Sequence, residues 1–185
     1  MRADGATQVY IAAEKNDMDA IHTLIAARCD LNLACNDGST PVLVAAQYGH
    51  TSVAKALIAA GCDINLRCND GATPVYVAAQ EGHTSVVIAL IAARCDVNLA
   101  AIDGATPVYI AACHGRTDAV HALIAARCDV NLAMNDGVTP VYIAAQKGHI
   151  VVVEALIAAG CDVNLATNDG ATPASIAAQQ GQLEE

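Results

Sequence analysis

A 33-residue pattern is written five times in this chain, and a sixth copy breaks off partway. Read from Asp70 it runs DGATPVYVAAQEGHTSVVIALIAARCDVNLAAI, and Asp4, Asp37, Asp103, Asp136 and Asp169 each open another copy. A fixed period of this length predicts a solenoid of stacked supersecondary units, each too small to bury its apolar face alone. Such an architecture has no closed central core to enclose a catalytic pocket. It offers a long regular surface, and the function expected of it is binding another macromolecule.

The local signals within one unit fall in a definite order. Asp70–Gly71 is a tight-turn dipeptide, with glycine free to take positive φ. Thr73 is placed to cap a helix, and Pro74 to occupy its first position, where a missing N–H costs nothing. Val75 to Gln80 then reads as a short helix stopped at Gly82. Thr84 or Ser85 is expected to cap a second helix carrying Val86, Val87, Leu90 and Ile91 at helical spacing and ending near Arg94–Cys95. Asp96 to Leu99 reads as an extended lead into the next turn. Asn32, Asn65, Asn98, Asn131 and Asn164 sit in these tails, where an asparagine is expected to bond its own loop backbone.

The fold class predicted is therefore an all-α repeat solenoid, with residues 1–185 as a single domain. Its units are 4–36, 37–69, 70–102, 103–135, 136–168 and the partial 169–185. The first unit, with Gln8, Asn16 and the polar run Glu14 to Asp17, reads as an adapted N-terminal cap. The last stops at GQLEE, which leaves an apolar face partly uncovered and suggests a piece of a longer array.

The segments TP-[VA]-x-x-AA, GH and CDVN match those of the ankyrin repeat. The chain resembles that family from residue 4 to 185. The resemblance implies antiparallel helix pairs in a curved array, β-hairpin fingers projecting from it, and a concave groove that binds a partner protein without catalysis. It also marks departures. Tyr10, Tyr76, Tyr109 and Tyr142 replace the family histidine, and Arg28, Arg94 and Arg127 stand where Gly61 and Gly160 keep the family glycine. Each tyrosine must find a polar partner for its hydroxyl or leave it wet, and each arginine in a left-handed position carries strain.

Composition narrows the partners. The net charge is −10 with nine Lys and Arg, so the basic stripe needed to neutralise nucleic-acid phosphates is absent, and anionic lipid is disfavoured. No apolar run of membrane-spanning length occurs, and the first ten residues lack the apolar core of a signal peptide. The expectation is a cytoplasmic protein, with the nucleus as the alternative, monomeric, binding a protein with a basic surface and no cofactor or metal.

Cys29, Cys62, Cys95, Cys128 and Cys161 recur once per unit. Equivalent residues in stacked helices lie about 8–10 Å apart, beyond disulfide reach, so these thiols are expected to be small buried apolar groups. Cys35 and Cys68, near the loop tips, are expected to be exposed and oxidisable. Histidines are the only plausible metal ligands, but Cys113, His114 and His121 point different ways on their helices, short of the three or four converging ligands zinc needs.

Where otherwise identical copies differ, binding specificity is expected. The end of the first helix varies most, with Lys15, Tyr48, Glu81, His114 and Lys147; Gln180 holds the same position in the partial unit. The resemblance places these in the groove, beside Gln47, Gln80 and Gln146. Finger residues Asp37, Asp70, Asp103 and Asp136, with Arg67 and Ile102, form its other edge. Tyr48, His114 and Ile102 are the expected anchors. The near-identity of the copies supports a rival reading, a structural spacer or an engineered consensus-like scaffold without a dedicated partner.

Overall fold

The structure, a computed structural model, describes residues 3–179 and 181. Gln180 and residues 182–185, on which the expectations for the end of the last repeat fall, lie outside the described residues. The described residues form eleven α-helices and no strand, in two compact units, Met1–Asp96 and Val97–Glu185.

The first unit holds α1 (Gln8–Glu14), α2 (Met18–Ala26), α3 (Pro41–Gln47), α4 (Thr51–Ala59), α5 (Pro74–Glu81) and α6 (Thr84–Ala92). The short helices α1, α3 and α5 pack in series, and α2, α4 and α6 form a second row behind them. The second unit repeats the plan. Its inner row is α7 (Pro107–Cys113), α9 (Pro140–Lys147) and α11 (Pro173–Gln179), backed by α8 (Thr117–Ala125) and α10 (Ile150–Ala158).

Each inner helix starts where the sequence predicts. Thr73 is extended, at φ −99 and ψ 165, and its hydroxyl accepts the Tyr76 N–H at 3.3 Å, while Pro74 opens the helix. Gly82 ends it at φ 80, the left-handed conformation that glycine adopts at least cost. The outer helices begin one residue earlier than expected. His50, His83, Arg116 and His149 are their N-caps and make no side-chain cap bond. Asp17 is the exception, accepting the Ala20 N–H at 2.9 Å.

The core lies between the rows. In the first unit Val42, Val53, Leu57, Val75, Val86 and Leu90 are fully enclosed. The Ala-Ala pairs at 45–46 and 78–79 are fully buried too, and their small side chains let neighbouring inner helices pack closely. Val108, Val120, Leu123 and Leu156 play the same parts in the second unit. Full burial of one leucine stabilises by about 2 kcal/mol, and Leu90→Ala is the single change most able to break α6 from its neighbours.

The expected hairpin fingers are not seen as strands among the described residues, where the fingers are tight turns. The Cys35 N–H meets the Ser39 carbonyl at 3.0 Å, and the Gly38 N–H returns to the Cys35 carbonyl at 3.0 Å. Asp37 Oδ1 takes the Ser39 N–H at 2.8 Å. A turn this tight consumes its polar groups locally and leaves too few for a strand ladder. Neighbouring fingers are joined instead by two bonds from one asparagine, as where the Asn69 N–H reaches the Asp37 carbonyl at 2.8 Å and its side-chain amide the Asn36 carbonyl at 3.1 Å.

Candidate protein-docking surface

The scaffold positions are saturated with bonds between repeats. In the first unit His50 Nε2 donates to the Glu14 carbonyl and His83 Nε2 to the Gln47 carbonyl, both at 3.1 Å. In the second, His149 Nε2 donates to the Cys113 carbonyl at 3.2 Å. A neutral ring bonded this way carries its proton on Nε2. The tail asparagines also differ from expectation. Asn32 Oδ1 accepts the N–H of Asp63, 31 residues on, at 2.8 Å, and Asn98 does the same for Asp129 at 2.9 Å. The bond within each tail's own loop is made by the aspartate instead, as where Asp63 Oδ1 takes the Asn65 N–H at 2.9 Å. The carboxylate is the stronger local acceptor, which leaves the asparagine to reach across.

The variable helix-end residues make none of these inter-repeat bonds. In the first unit Lys15 and Tyr48 are the C-caps of α1 and α3, and Glu81 is the last residue of α5; all three are exposed. Tyr48 is 52% exposed and stacks on His50, ring centres 5.8 Å apart. Glu81 accepts a bond from Gln80 at 3.0 Å. In the second unit His114 caps α7 and bonds back to the Ile110 carbonyl at 3.0 Å, and Lys147 ends α9.

The finger residues are exposed as well. Asp37, Asp70 and Arg67 belong to the first unit; Asp103, Asp136 and Ile102, the last 72% exposed, belong to the second. Asp103 and Asp136 each commit one oxygen to the N–H two residues on, at 2.9 and 3.0 Å. The Cys35 thiol donates to Asp37 at 2.7 Å, which together with the Ser39 amide holds that carboxyl below its usual range.

The finger thiols are poor candidates for oxidation. Cys35 and Cys68 are half-buried and donate to Asp37 and Asp70 at 2.7 Å. Burial and the carboxylate push the Cys68 thiol up to about 11 and raise Cys35 likewise, so the reactive thiolate is suppressed. Among the tail cysteines, Cys62, Cys95 and Cys128 are buried, while Cys29 and Cys161 are half-buried. Among the described residues no three His, Cys, Asp or Glu side chains group as metal ligands would.

The substituted tyrosines take opposite courses. Burial, and a hydrogen bond to the Cys35 sulfur, raise the Tyr10 phenol far above its ordinary value. Cys35 passes its own proton toward Asp37, so three side chains link α1 to the following finger. Tyr142 has Thr167 in the position that Cys35 holds for Tyr10. The Thr167 hydroxyl is already bonded to Asp169 and to Ala171, and it lowers the Asp169 carboxyl below its usual range.

One hollow joins fingers to inner helices within the second unit. It measures about 450 Å³ and is lined by Tyr109, Tyr142, Ile143 and Gln146 below, and by Asp136, Val138, Thr167, Asn168 and Asp169 above. Asp136 and Gln146 are therefore brought to one place, whereas His114 and Lys147 do not line it. The tyrosines, Ile143, Thr167, Asn168 and Asp169 line it without being among the expected contact residues. Tyrosine recurs in most repeats, so difference from the pattern carries no signal there.

Two smaller hollows sit at the glycine–histidine turns, one beside Gly49 and His83 in the first unit and one beside Gly115 and His149 in the second. Among the described residues no helix is long and apolar enough to cross a membrane. A family model of ankyrin repeats matches the chain in three overlapping copies, over residues 9–101, 78–167 and 108–184. A comparison with curated proteins found no match.

Proposed function

The chain belongs to the ankyrin-repeat family, whose members are generally protein-interaction modules, and we propose that it binds a partner protein through its inner-helix ends and finger tips, without catalysis. One observation carries this reading. Lys15, Tyr48 and Glu81 in the first unit, and His114 and Lys147 in the second, differ in charge and shape while occupying equivalent exposed helix ends. The residues that tie repeat to repeat are mostly kept from copy to copy. Variation concentrated on an exposed face beside a constant scaffold is what a recognition surface requires.

The partner surface that fits best is basic. The chain carries −10, and every finger presents an aspartate with an oxygen beyond the one held in its turn. Such complementarity chiefly sets association rate and choice of partner. Affinity comes from the stiffness of the repeats, since little ordering cost attends docking. The reading places the protein in the cytoplasm, with the nucleus as the alternative compartment, and as a monomer.

The test compares partner retention from a lysate by the natural chain and by Tyr48, Glu81, His114 and Lys147 all changed to Ala, after checking that both melt alike. A protein held by the natural chain and lost by the variant supports the reading. Equal retention, or none, favours the spacer, to which the near-identity of the copies and their many surface alanines would then belong.

A further inference from the structure

We infer that the hollow beneath the fingers at Asp136 and Asp169 is a subsite for an arginine side chain of the partner. The inference rests on the docking surface proposed above and names what one part of it grips.

The carrying observation is the Tyr142 hydroxyl. Tyr142 is 8% exposed, yet its hydroxyl makes no hydrogen bond with the described residues; Thr167, which holds the position Cys35 holds for Tyr10, bonds Asp169 and Ala171. No fully enclosed polar side-chain atom among the described residues lacks a partner. The Tyr142 oxygen therefore reaches the open space that its ring lines. A buried phenol with its polar end directed into a hollow is a vacant hydrogen-bonding position.

The rest of the lining sets the chemistry of the occupant. Asp136 commits Oδ1 to the Val138 N–H, and Asp169 commits Oδ1 to Thr167. Each keeps Oδ2 as an acceptor on the rim. Gln146 supplies a further carbonyl oxygen, and Ile143 and Val138 give apolar wall. Among the described residues no cationic side chain lines the space. A guanidinium matches this set. Its planar fork donates to carboxylate and phenol oxygen together, its face is tolerated against an aromatic ring, and its methylene stem fits the apolar wall. An ammonium is a compact, strongly hydrated point charge that satisfies fewer of these acceptors at once.

The probe is the tripeptide acetyl-Gly-Arg-Gly-amide, titrated into the ¹⁵N-labelled chain at low salt, with its lysine and citrulline counterparts alongside. Arginine should shift the amides of Asp136–Gln146 and Thr167–Ala171, and bind at least about tenfold tighter than neutral citrulline. Tyr142→Phe removes a hydroxyl with no internal partner, so it should leave the melting point in place and weaken the arginine peptide about fivefold. Asp136→Asn keeps the turn acceptor and should weaken binding about tenfold, while Glu154→Gln, the same charge change on α10, should leave it unchanged.

Shifts spread over the fingers of both units, equal binding of lysine or citrulline, or indifference to Tyr142→Phe would each overturn the subsite. If the natural chain still retains a partner protein that the helix-end variant loses, then the subsite alone has failed and the broader docking reading stands.

Discussion

Asn65 Oδ1 accepts the backbone N–H of Asp96, 31 residues further along the chain, at 2.9 Å. Within each unit the same bond recurs, from Asn32 to Asp63 and from Asn131 to Asp162. It joins the tail of one repeat to the tail of the next, beyond the apolar core. Stability in such an array is a sum of repeat and nearest-neighbour contributions, and this amide is one of the polar neighbour contributions.

Asn65→Ala should therefore lower the stability of the chain by about 0.5–1.5 kcal/mol, the net worth of a partly solvated hydrogen bond. Asn65→Asp keeps an acceptor oxygen and should cost less. Urea unfolding of the three proteins, compared at equal slope, checks the order. A wild-type midpoint for Asn65→Ala would mean that water replaces the bond without loss.

Gly49 and Gly61 separate two reasons for glycine. Both have positive φ, 69 and 86. A Cβ on Gly49 would lie 2.6 Å from Nδ1 of His83, the ring that bonds to Gln47, whereas nothing lies within 4 Å of one on Gly61. Gly61→Ala should cost only the left-handed strain, about 1–2 kcal/mol. Gly49→Ala adds displacement of the His83 ring and should cost about 1–3 kcal/mol more. Matched melting points for the two variants would remove His83 from any part in packing.

Arg28, Arg94 and Arg127 sit at φ 56, 62 and 60, where Gly61 and Gly160 occupy the same place in other repeats. All three side chains are exposed. Arg94→Gly should therefore stabilise by about 0.5–1 kcal/mol, relief of strain partly offset by the greater backbone entropy of glycine in the unfolded chain. Denaturant midpoints of the single and triple variants test it, and additivity is expected because successive sites share no partner.

The helical plan was legible because its signals are local. Thr73–Pro74 and Gly82 bound α5 within a residue of the expected limits, and the apolar spacing of Val86, Val87 and Leu90 gave the buried face of α6. What failed depended on competition between polar groups. Asn65 was free to reach the next repeat because Asp63 takes the local amide. The fingers form turns because Asp37 and Gly38 close them too tightly for a ladder. Thr84 lies inside its helix, and His83 holds the cap position while its ring turns to Gln47. The hollow at Tyr142 was hidden for a different reason: it is lined by residues far apart in sequence, from Tyr109 to Asp169, and no local pattern brings them together.

The tail cysteines should make stability fall in alkali. Cys62, Cys95 and Cys128 are buried beside Asp63, Asp96 and Asp129, and burial first, then the neighbouring carboxylate, pushes each thiol up to about 11. In the unfolded chain a thiol titrates near 8.5. Below that value the thiols are protonated in both states and contribute no pH dependence. Above it the unfolded chain loses protons that the folded chain keeps, so unfolding is favoured as pH rises. Unfolding free energy should decline steadily from about pH 8.5 to 11 and flatten beyond, once the folded thiols ionise too. Replacing the three cysteines with alanine should lower stability at pH 7 through lost packing yet leave a shallower decline over that window. Urea unfolding at half-unit intervals from pH 7 to 11 measures both slopes. Parallel slopes would assign the alkaline loss to other groups.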